Sequence, residues 1–465
     1  MRVPELFDFR GQAGRSTFGV TLILGALVLH NIYRIAAASA APHSRAGFGC
    51  LFPMSLFYGP RPVSADEQGL LSIMAALAIP FLWVAVCVTV KRLRDLGLAW
   101  SYAVLLFIPA VNVLFFVLLC VVPGLDKQEE AEKKGHSFLL AMLPASKWGS
   151  AVLGALAGTA VGTLLAWFSV ALLGGYGSVL FLALPFFMGF ISAWLYGYGE
   201  PRGSGECYAV AVASVFLTGA IIVGVAFEGI ICVGMAAPLA IPLALLGARL
   251  AYEGLKTRHL RIQPKALCGL FLAIPLLMGA EFRKPAPVPT HTVHSSIEIA
   301  APPNAVWQRI VSFPRVQEKP QWIFRLGMAY PLEVRTRGAG LSADRECIFS
   351  TGISREPILA WEESRHFAFR VSEEPPLMQE WSPYAQIHVR HLEDHDFRPG
   401  RVDFYLTELP GGRTQLDCRS TYENRMWPAE YWRLWTDEVV RQIQLRVFRH
   451  LKKLAEADAQ LSAAR

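Results

Sequence analysis

Three histidines, His388, His391 and His395, follow an H-x-x-H-x-x-x-H spacing. On a helix that spacing gathers imidazoles on one face, where a divalent metal is held. The surrounding residues, 385–395, alternate apolar and polar as a strand does, and on a strand His388 and His391 point to opposite sides. We therefore expect no metal site here, and the same geometry disqualifies His291 and His294. Glu362, Glu363, Glu373 and Glu374 are the other groups able to move a proton. They sit on strands and turns, where adjacent carboxylates form a solvated face, and no nucleophile is partnered with them. No G-x-S-x-G elbow, H-E-x-x-H or phosphate-binding loop occurs. No catalytic residue is assigned and no cofactor is expected.

Apolar side chains offer more. Trp307, Trp322, Phe324, Trp361, Phe367, Phe369, Phe404, Trp432 and Trp435 crowd the last third of the chain and are candidates to wall a cavity for a hydrophobic ligand. Each would serve equally well as plain core, because a buried Trp in either role finds a partner for its indole N–H. The elements that would position them are legible. Strands are expected over 293–299, 332–336, 343–350, 358–363, 366–372 and 385–395. Residues 401–409 and 413–422 form a hairpin closed by Pro410-Gly411-Gly412, whose glycines supply positive φ. After Pro428, Trp432, Trp435, Val439, Ile443, Val447, Leu451 and Leu454 recur at steps of three and four, the apolar stripe of one long helix to about 457.

The rest of the chain is written for a different solvent. Of 465 residues 53% are hydrophobic and only 17% charged, and most of the charge lies beyond Glu281. A bilayer core of about 30 Å asks for roughly 20 apolar residues per helix. Runs of that kind occupy 18–37, 70–90, 149–173, 179–198, 208–227, 230–251 and 266–281. The small residues after the first run resemble a signal cleavage site, but the run is long enough to span, and we expect an uncleaved first helix. Residues 98–122 are interrupted by Pro109 and Asn112 and fit one kinked helix or a hairpin of two half-helices. The basic loops 91–94, 127–147 and 249–265 share one side only if this segment folds back. The hairpin is therefore favoured, and it leaves the C-terminal domain outside the cytoplasm. Gly154, Gly158 and Gly162 form a GxxxGxxxG stripe for close helix packing. The net charge of +7 is read as topological loop charge, and no nucleic acid is expected as a partner. Cys87, Cys120, Cys232 and Cys268, four of the eight cysteines, lie in apolar runs; Cys347 and Cys418 fall on candidate strands and would be able to pair in an oxidising compartment.

Two resemblances follow from particular residues. Phe7-Asp8-Phe9-Arg10-Gly11 with Gly14-Arg15-Ser16-Thr17-Phe18, then Lys91-Arg92-Leu93-Arg94-Asp95-Leu96-Gly97, Ile108-Pro109 and Pro123-Gly124 resemble the bacterial inner-membrane family catalogued as domain of unknown function 805, over about residues 6–125. Arg94 stands where that family more often has His. The resemblance implies location rather than activity. Physically, Phe7, Phe9, Arg10, Arg15, Lys91, Arg92 and Arg94 are expected at the membrane interface, with Phe18 alongside and the cations meeting lipid phosphates. In the C-terminal part, Ile297-Glu298-Ile299-Ala300-Ala301-Pro302-Pro303-Asn304-Ala305-Val306-Trp307, the Gly411-Gly412-Arg413-Thr414 turn and the terminal helix resemble the polyketide cyclase/START-like (SRPBCC) superfamily. That resemblance implies a helix-grip fold holding a lipid, sterol, polyketide or other hydrophobic molecule.

The expected fold class is a multi-span α-helical membrane protein followed by a soluble α+β helix-grip domain, a curved antiparallel sheet over a long C-terminal helix. The expected domains are 1–125, the membrane part resembling the uncharacterised family; 126–282, a second membrane segment; 283–292, a Pro-rich tether; and 293–462, the helix-grip domain. The expected function is membrane-anchored binding of a hydrophobic small molecule or lipid for sensing, shielding or transfer, in the bacterial inner membrane with the C-terminal domain periplasmic. The alternatives are a cyclase- or hydrolase-like enzyme on an apolar membrane-derived substrate, and a transporter or non-binding interaction protein. Membrane lipid and a hydrophobic ligand are the expected partners; the oligomeric state is not legible.

Overall fold

A computed structural model describes residues 3–40, 65–108, 111–122, 144, 146–200, 202–256, 264–282, 288–382 and 396–463. The chain divides into two compact units, Met1–Val225 with Ala236–Ala286, and Ala226–Met235 with Pro287–Arg465. In the first unit the apolar runs form α1 (Arg15–Ala40), α2 (Ala65–Asp95), α3 (Val111–Val121), α4 (Lys147–Trp167), α5 (Leu184–Gly197), α6 (Ser204–Gly224), α7 (Ile230–Lys256, whose first turns belong to the second unit) and α8 (Pro264–Phe282). Among the described residues six helical stretches, those built on α1, α2, α4, α5, α6 and α7, are long and apolar enough to cross a bilayer. The chain is a multi-pass membrane protein.

Residues 98–122 do not form one long helix. A 3-10 helix, Trp100–Phe107, and the 11-residue α3 replace it. Each is roughly 16 Å long, about half the bilayer core. The GxxxGxxxG stripe on α4 lies against α5 and α6. A Cβ on Gly158 would collide with Ser192 Oγ and press on Ser214, so the helices approach as closely as they do because no side chain is there.

Among the described residues of the second unit, the strands and α-helices are β1 (Thr290–Ile299), α9 (Pro303–Val311), α10 (Trp322–Arg325), β2 (Pro331–Arg337), β3 (Asp344–Phe349), β4 (Gly352–Arg355), β5 (Ile358–Glu362), β6 (His366–Arg370), β7 (Phe397–Leu409), β8 (Arg413–Asn424) and α11 (Ala429–Ala463). A five-stranded antiparallel sheet runs β1-β8-β7-β6-β5 and a three-stranded one β2-β3-β4. β1 begins at Thr290, inside the stretch expected to be tether, because Thr290–Thr292 already pair with Thr421–Glu423; residues 283–287 of that tether lie outside the described residues. The β7–β8 hairpin closes at Leu409↔Arg413 with Gly411 at φ +84° and Gly412 at φ +69°. β7 shifts register between Pro399 and Val402, where Gly400 lies so close to Thr421 that a Cβ would collide with it. Such a bulge bends a strand and helps the sheet curve.

α11, 35 residues and roughly 50 Å long, supplies Phe448, Leu451 and Ala455 to a core shared with Ile299, Val306, Ile310, Phe404, Leu406 and Leu416. The helix-grip architecture read from the sequence is present. The strand expected at 385–395, with its three histidines, lies outside the described residues up to 395.

Candidate functional site

The two motifs that carry the N-terminal resemblance meet in space. Arg94 Nη1 donates to the carbonyls of Phe9 (2.6 Å) and Gly11 (3.1 Å), and Lys91 Nζ donates to the carbonyl of Glu5. Arg92 Nε donates to Leu119 O at 2.9 Å, and its Nη atoms reach Val122 O and the Asp95 carboxylate. Lys91 and Arg92 are buried, at 2% and 0% exposure. Their cations therefore satisfy backbone carbonyls at the end of α3 and in the N-terminal segment instead of facing lipid phosphates. Phe18, also expected at the interface, is fully buried against Phe116 at 5.6 Å. Phe7, Phe9, Arg10, Arg15 and Arg94 are exposed, and Phe9 packs edge-on against Trp83, whose indole N–H donates to Phe7 O.

The second unit contains a cavity of about 270 Å³, close to the small end of ligand pockets, roughly 300–1,000 Å³. Sheet curvature opens it and α11 covers it: Phe369, Val402, Phe404 and Cys418 line it from the large sheet, and Trp432, Trp435, Val439, Ile443 and Val447 from α11. Cys232 and Met235, in the 226–235 stretch of the same unit, complete its wall. Four of the nine expected aromatics line it, namely Phe369, Phe404, Trp432 and Trp435.

The other five do not. Trp307, Trp361 and Phe367 interlock edge-to-face at 5.5–5.7 Å in the core beside α9. Phe324 packs on Tyr330 in a second cluster, and Trp322 is 54% exposed. Strand alternation fixes which side of a sheet a residue faces; it does not say whether that stretch meets filled core or empty space.

The polar part of the wall was missed. Arg345 and Glu356, about 4% exposed, both line the cavity. Arg345 Nε donates to Glu356 Oε2 at 2.8 Å and Nη1 to the carbonyls of Ile310 and Val311 at 3.0 and 2.8 Å. The guanidinium also lies 4.9 and 4.7 Å from the ring centroids of Phe367 and Phe369. Burial holds the Glu356 carboxyl above its ordinary range, against the opposing pull of Arg345. Ser354, 1% exposed, also lines the cavity, and its Oγ has no hydrogen-bond partner among the described residues. Residues alternating with wet positions on a short strand gave a sequence reader no reason to turn charges inward.

Cys347 and Cys418 are buried free thiols that line the cavity; the pairing left open by the sequence is not formed. Burial pushes both thiols up, Cys418 to about 12, so neither is a ready nucleophile. Among the described residues no group of His, Cys, Asp or Glu is arranged to hold a metal.

Fold and site together define a class: a multi-pass membrane protein carrying a helix-over-curved-sheet domain with an internal, mostly apolar cavity. Residues 6–130 match the family model described as protein of unknown function DUF805. The C-terminal region is similar to norcoclaurine synthase from Thalictrum flavum, solved as a point mutant in complex with a transition-state analogue, at 10% identity and TM-score 0.25, over 37% of this chain and 96% of that one. It is likewise similar to a Mesorhizobium loti protein at 16% identity and TM-score 0.22, over 36% and 98%. No curated protein sequence matches the chain significantly.

Proposed function

We propose that this protein binds a hydrophobic small molecule or a lipid in its C-terminal domain and holds it at a membrane for sensing, shielding or transfer. One observation carries the reading: a largely apolar cavity between the curved sheet and α11, walled by Phe369, Phe404, Trp432 and Trp435. A bound apolar molecule takes this wall out of water, which is worth about 25 cal/mol per Å² of apolar surface covered. Covalent attachment to a membrane platform keeps such a domain at high local concentration near lipid-borne ligands.

The experiment is native mass spectrometry of the purified full chain, with solvent extraction of what co-purifies. The expected result is a discrete small-molecule mass that is lost on denaturation. A chain that stays free of adducts, also after incubation with a lipid panel, refutes the reading. The location proposed is the bacterial inner membrane with the C-terminal domain on the periplasmic side; the reading rests on 98–122 folding back as a hairpin, which puts the basic loops 91–94, 127–147 and 249–265 together on the opposite side. Alkaline phosphatase fused after Arg465 is then active; an inactive fusion beside a fluorescent cytoplasmic-type reporter reverses the orientation.

A further inference from the structure

Four residues on the inner face of the small sheet form a contiguous patch. Arg345 and Cys347 lie two apart on β3, and Ser354 and Glu356 two apart on β4 and its extension. Cys347 is directly opposite Ser354, and Glu356 N donates to Arg345 O at 3.0 Å, so the four occupy the corners of a small rectangle facing the cavity. Alternate residues on a strand are about 6.7 Å apart, close enough for one ligand atom to reach both Ser354 and Glu356.

Two other polar groups of the wall are already engaged. Gln444 accepts from Ser295 and donates to Val293 O and Ser420. Tyr422 donates to Asp437 and accepts from Thr436. The Ser354 hydroxyl differs: it is buried in the cavity wall and has no hydrogen-bond partner among the described residues. A buried hydroxyl without a partner is expensive, on the order of 1–3 kcal/mol, and a ligand able to bond it removes that cost.

We propose that Ser354, with the Arg345–Glu356 pair, is the recognition pole for an uncharged hydroxyl group on an otherwise apolar ligand. This rests on the reading of the cavity as a ligand site and adds the chemical class of what fills it. Charge decides the class. Arg345 is already matched by Glu356 and by two carbonyls, so a ligand carboxylate or ammonium would bring a buried charge with no counter-charge. A hydroxyl brings none. Its oxygen accepts from the Ser354 O–H while its proton goes to the Glu356 carboxylate, and its apolar body lies along Phe369, Phe404 and Val447.

The test uses the full chain in lipid nanodiscs and three photoactivatable probes: a diazirine-bearing ten-carbon primary alcohol, the matching hydrocarbon and the matching carboxylate. Labelled peptides are located by mass spectrometry. The alcohol is expected to label cavity peptides at roughly three- to tenfold lower half-saturation than the hydrocarbon, the effect of one or two net hydrogen bonds. Ser354→Ala is expected to shrink that gap without weakening hydrocarbon labelling and to leave the thermal midpoint unchanged or raised, because it removes a buried hydroxyl that has no partner among the described residues. Equal alcohol and hydrocarbon labelling, a preference for the carboxylate, or a gap untouched by Ser354→Ala overturns the hydroxyl pole while leaving the cavity a ligand site. If none of the three probes labels cavity peptides, the ligand-site reading fails and the hydroxyl pole falls with it.

Discussion

Removing Arg345 should expose how much of the domain's stability hangs on one buried charge. The Arg345 and Glu356 side chains are 3% and 4% exposed, so solvent screens neither. Arg345→Met keeps the length of the side chain but leaves a carboxylate inside with no counter-charge. Breaking a buried pair from one side costs roughly 3–5 kcal/mol. At about 2–4 °C per kcal/mol for a domain of this size, the midpoint should fall by roughly 6–20 °C. The sign with pH is fixed by Glu356. Burial raises its carboxyl against the pull of Arg345. A carboxyl raised on folding favours the folded state while protonated, and its cost sets in as pH rises through the folded value. Without Arg345 that value climbs further, so the penalty should be largest near pH 8 and shrink toward pH 5. The double variant Arg345→Met/Glu356→Leu removes both charges and should recover most of the loss. The assay is thermal unfolding of the purified full chain, followed by proteolytic protection of peptides from 290–463. A single variant within about 1 kcal/mol of wild type, or a double variant as weak as the single, would refute the reasoning.

Phe448 is fully buried between α11 and the sheet, and Phe448→Ala should cost roughly 3–5 kcal/mol, read in the same protection assay. Gly158→Leu places a side chain where Ser192 and Ser214 already lie, so the yield of monodisperse protein should collapse; Gly269→Leu, with open space around it, should not alter it. On the outer face of the large sheet, Asp403 accepts from Arg401 Nε (2.8 Å) and Nη2 (2.7 Å) and bonds His366 at 2.9 Å. Burial raises its carboxyl, but the bonds from Arg401 and His366 outweigh it and hold it below the ordinary carboxylate value. Its stabilisation is therefore present above that value and lost as pH falls through the folded one. Asp403→Asn should cost roughly 1.5–3 kcal/mol at pH 7 and flatten acid unfolding below about pH 4.

The parts legible in the sequence were those set by periodicity and solvent. The greasy runs, the Gly411–Gly412 hairpin, the α11 stripe and the Gly154/Gly158/Gly162 packing face each follow from a local spacing rule. The cavity was half legible: Phe404, Trp432 and Trp435 were named for their bulk, yet the same bulk put Trp307 and Trp361 into filled core. Arg345, Ser354 and Glu356 were missed because alternation cannot tell a charge turned inward with a partner from one turned outward to water. Lys91 and Arg92 misled for the converse reason. A basic loop after an apolar helix reads as interfacial, and only the folded chain brings Leu119 O, Val122 O and Glu5 O within their reach.

The central claim is that the cavity holds a hydrophobic molecule, and filling it is the most direct test. Val440 lines it from α11, and Val440→Trp puts an indole into the space. The measurement compares solvent extracts of purified wild-type and Val440→Trp full chain by mass spectrometry. The account predicts one compound at near-stoichiometric amount in the wild type, absent from a variant whose thermal midpoint is unchanged or raised. The same compounds in both extracts, or none in either, would contradict it.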